Sequence, residues 1–493
     1  MQTKQTICML SAKKRIEKLK KEFLDSPDIV TKEIVVANKN LGIIYIDELA
    51  NQEEINLSIM RPLANFKNWE FTLTDLQNQI VNFCNAELLD EKQAQEKILR
   101  GFTGLICDNE EKILCFNTVK YPARGVEEPP TSTVLSGPRE GFTETLKVNL
   151  SLIRKRLPSK ELKIEELIVG TKTKTRVDLV YLNDVVDLRV VKKIKEKLSC
   201  YEIDGVIDSY YIVKFLEDKP NSIFRQVGNS EKPDIVCAKM LEGRVAIIVD
   251  GTPIVLTVPY IMFEDFQSSY DYYSDAHRVT ILRLIRVFGL FISIFLPGMY
   301  IALQLFHYKV LPLKFLVTIV NTTQNLPLNP FLEILFIIIL FDILFEASVR
   351  MPKYLGMAVS IVGALILGDT AVKAGLVSPP SVMIVALSAI TVYIIPNQSS
   401  QISLLRLIFA LIGGTLGFHG IILGMLFFIA YLCNFDSFYT PYLAPYTPFI
   451  KEDQKDFVVK DSLVFLKTRP KSIPNKNRIR LKNKEGEEKW KRW

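Results

Sequence analysis

The sequence predicts an α/β water-soluble front half of two small lobes, followed by an all-α polytopic membrane domain of five or six helical segments. Three observations carry this. Residues 287–433 consist of long apolar runs broken by few charges, after a front half of ordinary charged composition. That front half mixes short β-branched runs with apolar residues at helical spacing. At 493 residues the chain exceeds one ordinary domain.

Residues 1–33 form a charge-dense arm in which Ile16, Leu19 and Phe23 fall at helical spacing, read as a solvated or partner-docking segment. The first lobe, 34–120, carries the strand-like runs EIVVAN, GIIYID, GFTGLICD and KILCFNTV, with a helical stretch over 74–99. A Pro-rich linker covers 121–141, where prolines and glycines discourage both helix and strand. The second lobe, 142–276, opens with Leu146, Leu150, Ile153 and Leu157 at i, i+4, i+7 and i+11, one helix face. Strands LKIEELIVG and TRVDLVYLN follow, then helices over 184–198 and 209–217. The lobe closes with VAIIVDGTPIVLTVP, two β-branched runs around an Asp-Gly turn, which is a hairpin signal.

The membrane domain covers 277–436. Residues 287–306 are twenty in a row without an ionisable group, enough helix to cross a bilayer core. Further spans are expected over 331–349, 355–377 and 382–395. The stretch 407–432 contains Gly413, Gly414, Gly417, Gly420 and Gly424, and reads as one tilted helix or two short ones. Arg278, Arg283 and Arg286 precede the first span, so the front half is expected on the cytoplasmic side by the positive-inside rule. Arg350, Lys353 and Arg406 read as further inside loops. The tail, 437–493, is expected to be cytoplasmic, disordered and close to anionic lipid: residues 451–493 hold 14 Lys and Arg against 7 Asp and Glu. Both ends inside require an even number of crossings, which favours six, or five with a re-entrant element. Nucleic-acid binding is the lesser reading of the basic tail.

Seven cysteines without a CxxC pair suggest neither a disulfide framework nor a zinc site. The three histidines, His277, His307 and His419, are far apart in sequence, so no metal or catalytic centre is expected. Phosphate-binding, dinucleotide-binding and nucleophile-elbow motifs are absent, and no cofactor or enzymatic role is indicated. What remains is charge inside apolar helices: Glu333, Asp342, Glu346, Arg350, Asp369 and Lys373. Such groups face a bundle interior, a partner or water. Glu346 with Arg350, and Asp369 with Lys373, are spaced for intrahelical pairs, the simpler reading of both. The stretch 355–377 is rich in Gly and Ala, which lets helices approach closely. Copies of it around an axis would set Val359, Val362, Leu365 and Ile366 as a hydrophobic constriction able to gate by dewetting. Ordinary helix packing explains the same residues equally well.

Seven motifs then stand in a familiar order: GPREGFTE (137–144), NLSLIRKRL (149–157), LEGRVAIIVDGTP (241–253), DFQSSYDYY (265–273), FEASVRMP (345–352), GDTAVKAGLVS (368–378) and PYLAPYTP (441–448). Together, over residues 34–470, they resemble the A subunit of the GerA-type spore germination receptors. One departure is Ser348, where relatives tend to carry glycine. The resemblance implies a spore inner-membrane protein working with a transporter-like B subunit and a lipoprotein C subunit. It also implies ring-shaped homo-oligomers forming a nutrient-gated ion channel, with the nutrient pocket in the B subunit. A germination amplifier without its own nutrient, and a non-conducting membrane scaffold, stay open as alternatives.

Overall fold

The computed structural model describes residues 11–37, 39–66, 71–83, 85–120, 137–324, 326–350 and 366–481. Most of the Pro-rich linker therefore lies outside the described residues. The first lobe runs α1 (Ala12–Glu22), β1 (Ile29–Val36), β2 (Lys39–Ile46), α2 (Leu73–Gln79), β3 (Glu87–Leu89), α3 (Glu91–Leu99), β4 (Thr103–Cys107) and β5 (Ile113–Phe116). Its five strands are ordered β1-β2-β4-β5-β3, every pair antiparallel.

The second lobe runs α4 (Leu146–Arg156), β6 (Leu162–Val169), β7 (Thr175–Leu182), α5 (Leu188–Ser199), α6 (Ser209–Leu216), β8 (Gly228–Ser230), α7 (Pro233–Glu242), β9 (Val245–Val249) and β10 (Val255–Val258). Its strand order, β6-β7-β9-β10-β8, repeats the first lobe strand for strand. Packing repeats as well, because strand side chains alternate between faces. In β9, Val245, Ile247 and Val249 face α5 and α6, while Ala246 and Ile248 face α4 and α7. In the first lobe Ile43 and Tyr45 face α2, and Ile44 and Ile46 face α1 and α3.

Three expectations are corrected. The arm is part of the first lobe: Ala12, Ile16, Leu19 and Phe23 are buried against Ile44 and Ile46. Apart from Arg15, which is buried and donates to the Glu110 and Glu111 carbonyls, the charge that made this short helix read as solvated lies on its other face. The 74–99 stretch is interrupted by β3, which takes the sheet edge beside β5, a tertiary pairing that overrides local helical character. The tail folds back onto the second lobe through residue 481. Arg469 Nε donates to the Leu241 carbonyl at 2.6 Å, and the Lys476 amide donates to the Val185 carbonyl at 2.8 Å. Basic composition says nothing about such backbone partners.

A buried ion pair joins the lobes. Arg154, on α4, donates from Nε and Nη2 to the Asp28 carboxylate at 2.8 and 3.1 Å.

The apolar half contains α8 (Ala276–Leu305), α9 (Leu313–Thr323), α10 (Pro330–Arg350), α11 (Pro379–Val392) and α12 (Ser399–Cys433). Among the described residues two helical stretches, α8 and Pro396–Cys433, are long and apolar enough to cross a membrane. The short α9 has no counterpart in the sequence reading. Helix α8 continues through Pro297, and the adjacent Gly298 crosses α12 so closely that a methyl on Gly298 would collide with the Phe409 backbone and one on Gly413 with the Gly298 backbone.

Helix α12 is two helices joined at Gly417, whose φ of 63° and ψ of −153° reverse the chain. A methyl on Gly424 would lie 3.0 Å from the Phe409 ring, fifteen residues earlier, where a straight helix would separate them by roughly 22 Å. Both ends of the pair therefore return to the second lobe. Gln398 Nε2 donates to Asp265 at 2.8 Å, and Lys219 Nζ donates to the Asn434 carbonyl at 2.9 Å.

Candidate functional site

Where the second lobe meets the apolar helices, a buried charge cluster is built from three elements. The turn Ser269–Tyr273 is closed by Ser268 and Asp271 capping each other, which aims the Asp271 carboxylate at α8. From α8, Arg283 Nε donates to Asp271 at 2.9 Å, and Arg286 donates to the same carboxylate with both terminal nitrogens at 2.8 and 2.9 Å. From the tail, the carbonyls of Asp456 and Phe457 accept from Arg283 Nη1 at 2.9 and 2.6 Å, and Lys460 Nζ donates to the Asp271 carbonyl. Arg283 and Asp271 are both 0% exposed. Burial opposes ionisation of Asp271, but Arg286 and Arg283 outweigh it and hold the carboxyl below the usual range. For Asp456 burial wins over Arg283, and its carboxyl rises to about 6. Two arginines expected to mark the cytoplasmic side by free charge are thus consumed in a fixed joint.

Beside this cluster lies a cavity of about 420 Å³, lined among others by Lys239, Arg244, Glu264, Asp265, Tyr272 and Asn397. Lys239 and Arg244 both donate to Glu264, and burial with Arg244 adjacent brings the Lys239 ammonium down to about 7. Asp265 accepts from Tyr260 at 2.5 Å, Gln398 at 2.8 Å and Asn397 at 3.2 Å, tying the lobe to the loop between α11 and α12.

Among the charges within apolar helices, Glu333 is fully buried near the start of α10. It accepts from the Ser378 amide and hydroxyl at 2.5 and 2.7 Å, so a carboxylate closes the positive end of α11. Asp342 accepts from Arg406 at 2.5 Å and from Ser403 at 2.9 Å. Arg406 is therefore no loop marker: it is buried within α12 and finds its counter-charge across helices. Glu346 and Arg350 form an i,i+4 pair at 2.6 Å, as do Asp369 and Lys373 at 2.6 Å. The first pair is strongly exposed, 61% and 79%, and shares an open groove with Ile339, Asp342 and Ile343. Val359, Val362 and Leu365 lie outside the described residues, and Ile366 begins the helical turn Ile366–Thr370.

The sequence reading missed the junction cluster, in which Asp271 and Lys460 stand 189 residues apart. It also treated His307 and His419 as unrelated, whereas the Gly417 reversal brings their rings to 5.5 Å. Among the described residues no group of three or more His, Cys, Asp or Glu is placed to hold a metal.

Residues 17–472 match the family model described as Bacillus/Clostridium GerA spore germination protein. The chain belongs to the GerA spore germination protein family. It is 36% identical to spore germination protein KA of Bacillus subtilis, over 95% of this chain and 88% of that one. It is also 36% identical to the uncharacterized membrane protein YfkQ of B. subtilis, over 88% and 85% of the two chains. The crystal structure of the N-terminal domain of the A subunit of the Bacillus megaterium germinant receptor GerK3 matches with a TM-score of 0.40 and 27% identity, covering 52% of this chain and 99% of that one. The family makes this a germination protein of the receptor A-subunit type, and the resemblance read from the seven motifs agrees.

Proposed function

We propose that copies of this chain assemble as a ring in the spore inner membrane and form an ion channel. The channel opens when nutrient binds a transporter-like B subunit, with a lipoprotein C subunit as the third partner. The observation that carries this is the outward-facing Glu346–Arg350 pair beside Asp342, on a helix otherwise apolar apart from the buried Glu333. Ionised side chains at membrane depth face protein or water, not lipid tails. A neighbouring copy or an aqueous lumen meets that requirement; a lone anchor in lipid does not. The folded-back α12, with both ends at the second lobe, supports an even number of crossings with front half and tail on the cytoplasmic side.

In this reading the junction at Arg283 transmits movement of the lobes to α8, and a ring at Val359, Val362, Leu365 and Ile366 is the constriction. Val362→Ala enlarges it and gives spores that leak ions before any nutrient is added; normal retention counts against that placement. The decisive experiment is reconstitution of the purified chain with its B and C subunits in liposomes, with imaging of the assembly. Nutrient-dependent cation flux and a closed ring are expected. A monomer that passes no ions refutes the channel.

A further inference from the structure

Helix α8 is apolar on its outer face for longer than its composition indicates. Arg283 and Arg286, the cations that interrupt the apolar run, turn inward to Asp271, while Ile281, Leu284, Ile285 and Phe288 are all exposed on the opposite stripe at i, i+3, i+4 and i+7. From Ile281 to Leu305 α8 turns no charge outward over roughly 37 Å of helix, against about 30 Å of bilayer hydrocarbon, with Phe295 and Ala302 on that side packed against other helices. The surplus at its base falls at headgroup depth.

The tail is seated beside this surplus. The Lys460 amide donates to Thr280 Oγ1 at 3.0 Å, and Arg283 holds the Phe457 carbonyl, so the following turn, Leu463–Phe465, starts next to the first turns of α8. Leu463, Val464 and Phe465 are 50%, 44% and 54% exposed. The tail then doubles back: the Arg480 amide donates to the Lys467 carbonyl and the Arg469 amide to the Arg478 carbonyl, at 2.9 and 2.8 Å. This sets exposed Arg478, Ile479 and Arg480 alongside Lys467. Apolar and basic side chains thus share one small surface next to the base of a membrane-crossing helix.

We propose that this surface is a lipid contact: the Leu463–Phe465 turn enters the interfacial layer of the membrane that α8 crosses, and Arg478 and Arg480 engage anionic phospholipid headgroups. Two features favour lipid over a second copy of the chain. The apolar turn follows tail residues bound to the first turns of the span, and its basic rim complements an anionic leaflet. The proposal rests on the membrane reading, and its test separates the two.

The full chain, with Trp69, Trp490 and Trp493 replaced by phenylalanine, carries one reporter, V464W or F288W, in vesicles containing anionic phospholipid. Lipids brominated near the headgroup are expected to quench both reporters, and aqueous iodide neither. Removing the anionic lipid, or adding R478E with R480E, is expected to abolish quenching at position 464 and leave position 288 unchanged. Iodide quenching of V464W overturns the proposal, as does protection from both quenchers, which would place another copy on the patch. Equal quenching of V464W in zwitterionic vesicles overturns the headgroup contact. Failure of brominated lipid to quench F288W refutes the membrane placement itself.

Discussion

Replacing Arg283 by methionine is the sharpest test of the junction, because the substitution keeps an apolar side chain of comparable length and removes only the charge and its donors. Four acceptors lose a donor together: Asp271, the Asp456 carboxylate and the carbonyls of Asp456 and Phe457. Arg286 still reaches Asp271, but nothing on α8 replaces the three donations to the tail. Removing one member of a buried ion pair costs about 3–5 kcal/mol, or roughly a hundred- to several-thousand-fold in the population of the opened junction. The assay is amide hydrogen exchange of the full chain in nanodiscs, read over residues 453–460. Exchange there is expected to accelerate by that factor while the sheet of the first lobe keeps its protection. Arg283→Lys retains charge without the planar fork and is expected to fall between. Unchanged exchange over 453–460 in the methionine variant refutes the idea that Arg283 clamps the tail. The pH dependence has a defined sign. Because the Asp456 carboxyl is raised from 3.8 to about 6, its contribution to the closed junction is fully present below 3.8 and is lost as pH rises through about 6. Asp271, held low, contributes in the opposite sense: its share is fully present above the ordinary carboxylate range and is lost as pH falls below it.

The remaining expectations concern the lobes and the helix crossing. Arg154→Leu leaves Asp28 buried without its partner and is expected to cost about 3–5 kcal/mol in thermal or urea unfolding, while the double variant Arg154→Leu, Asp28→Leu recovers most of it. Burial, with Asp28 nearby, pushes the Glu48 carboxyl from 4.5 up to about 8, so its contribution to stability is lost as pH rises across that window, by about 1.4 kcal/mol per pH unit. Glu48→Gln is expected to flatten that slope in urea unfolding measured from pH 5 to 9, and an unaltered slope refutes the assignment. Gly413→Ala drives a methyl into the Gly298 backbone and is expected to cost about 1–3 kcal/mol, read as lower heat stability of the detergent-solubilised chain; an equally stable variant refutes the close crossing.

What was legible in the sequence is what depends on near neighbours along the chain. The β9–β10 hairpin, the paired strands β6 and β7, the α4 face and the long apolar runs all follow from periods of 2 and 3.6 residues and from turn chemistry, which act over a few residues. The intrahelical pairs Glu346–Arg350 and Asp369–Lys373 are legible for the same reason.

Tertiary structure decided the rest. The strand order shared by the two lobes is a matter of which edge each strand joins, and the two halves reach it with different residues. The same holds for α1, which reads as a charged arm until a sheet covers its apolar stripe, and for the Gly417 reversal that sets His307 beside His419. Arg283, Arg286 and Arg406 look alike in sequence, each a cation near apolar residues. Their meaning is set by Asp271 and Asp342, because a buried charge is defined by the counter-charge that folding brings to it from elsewhere in the chain.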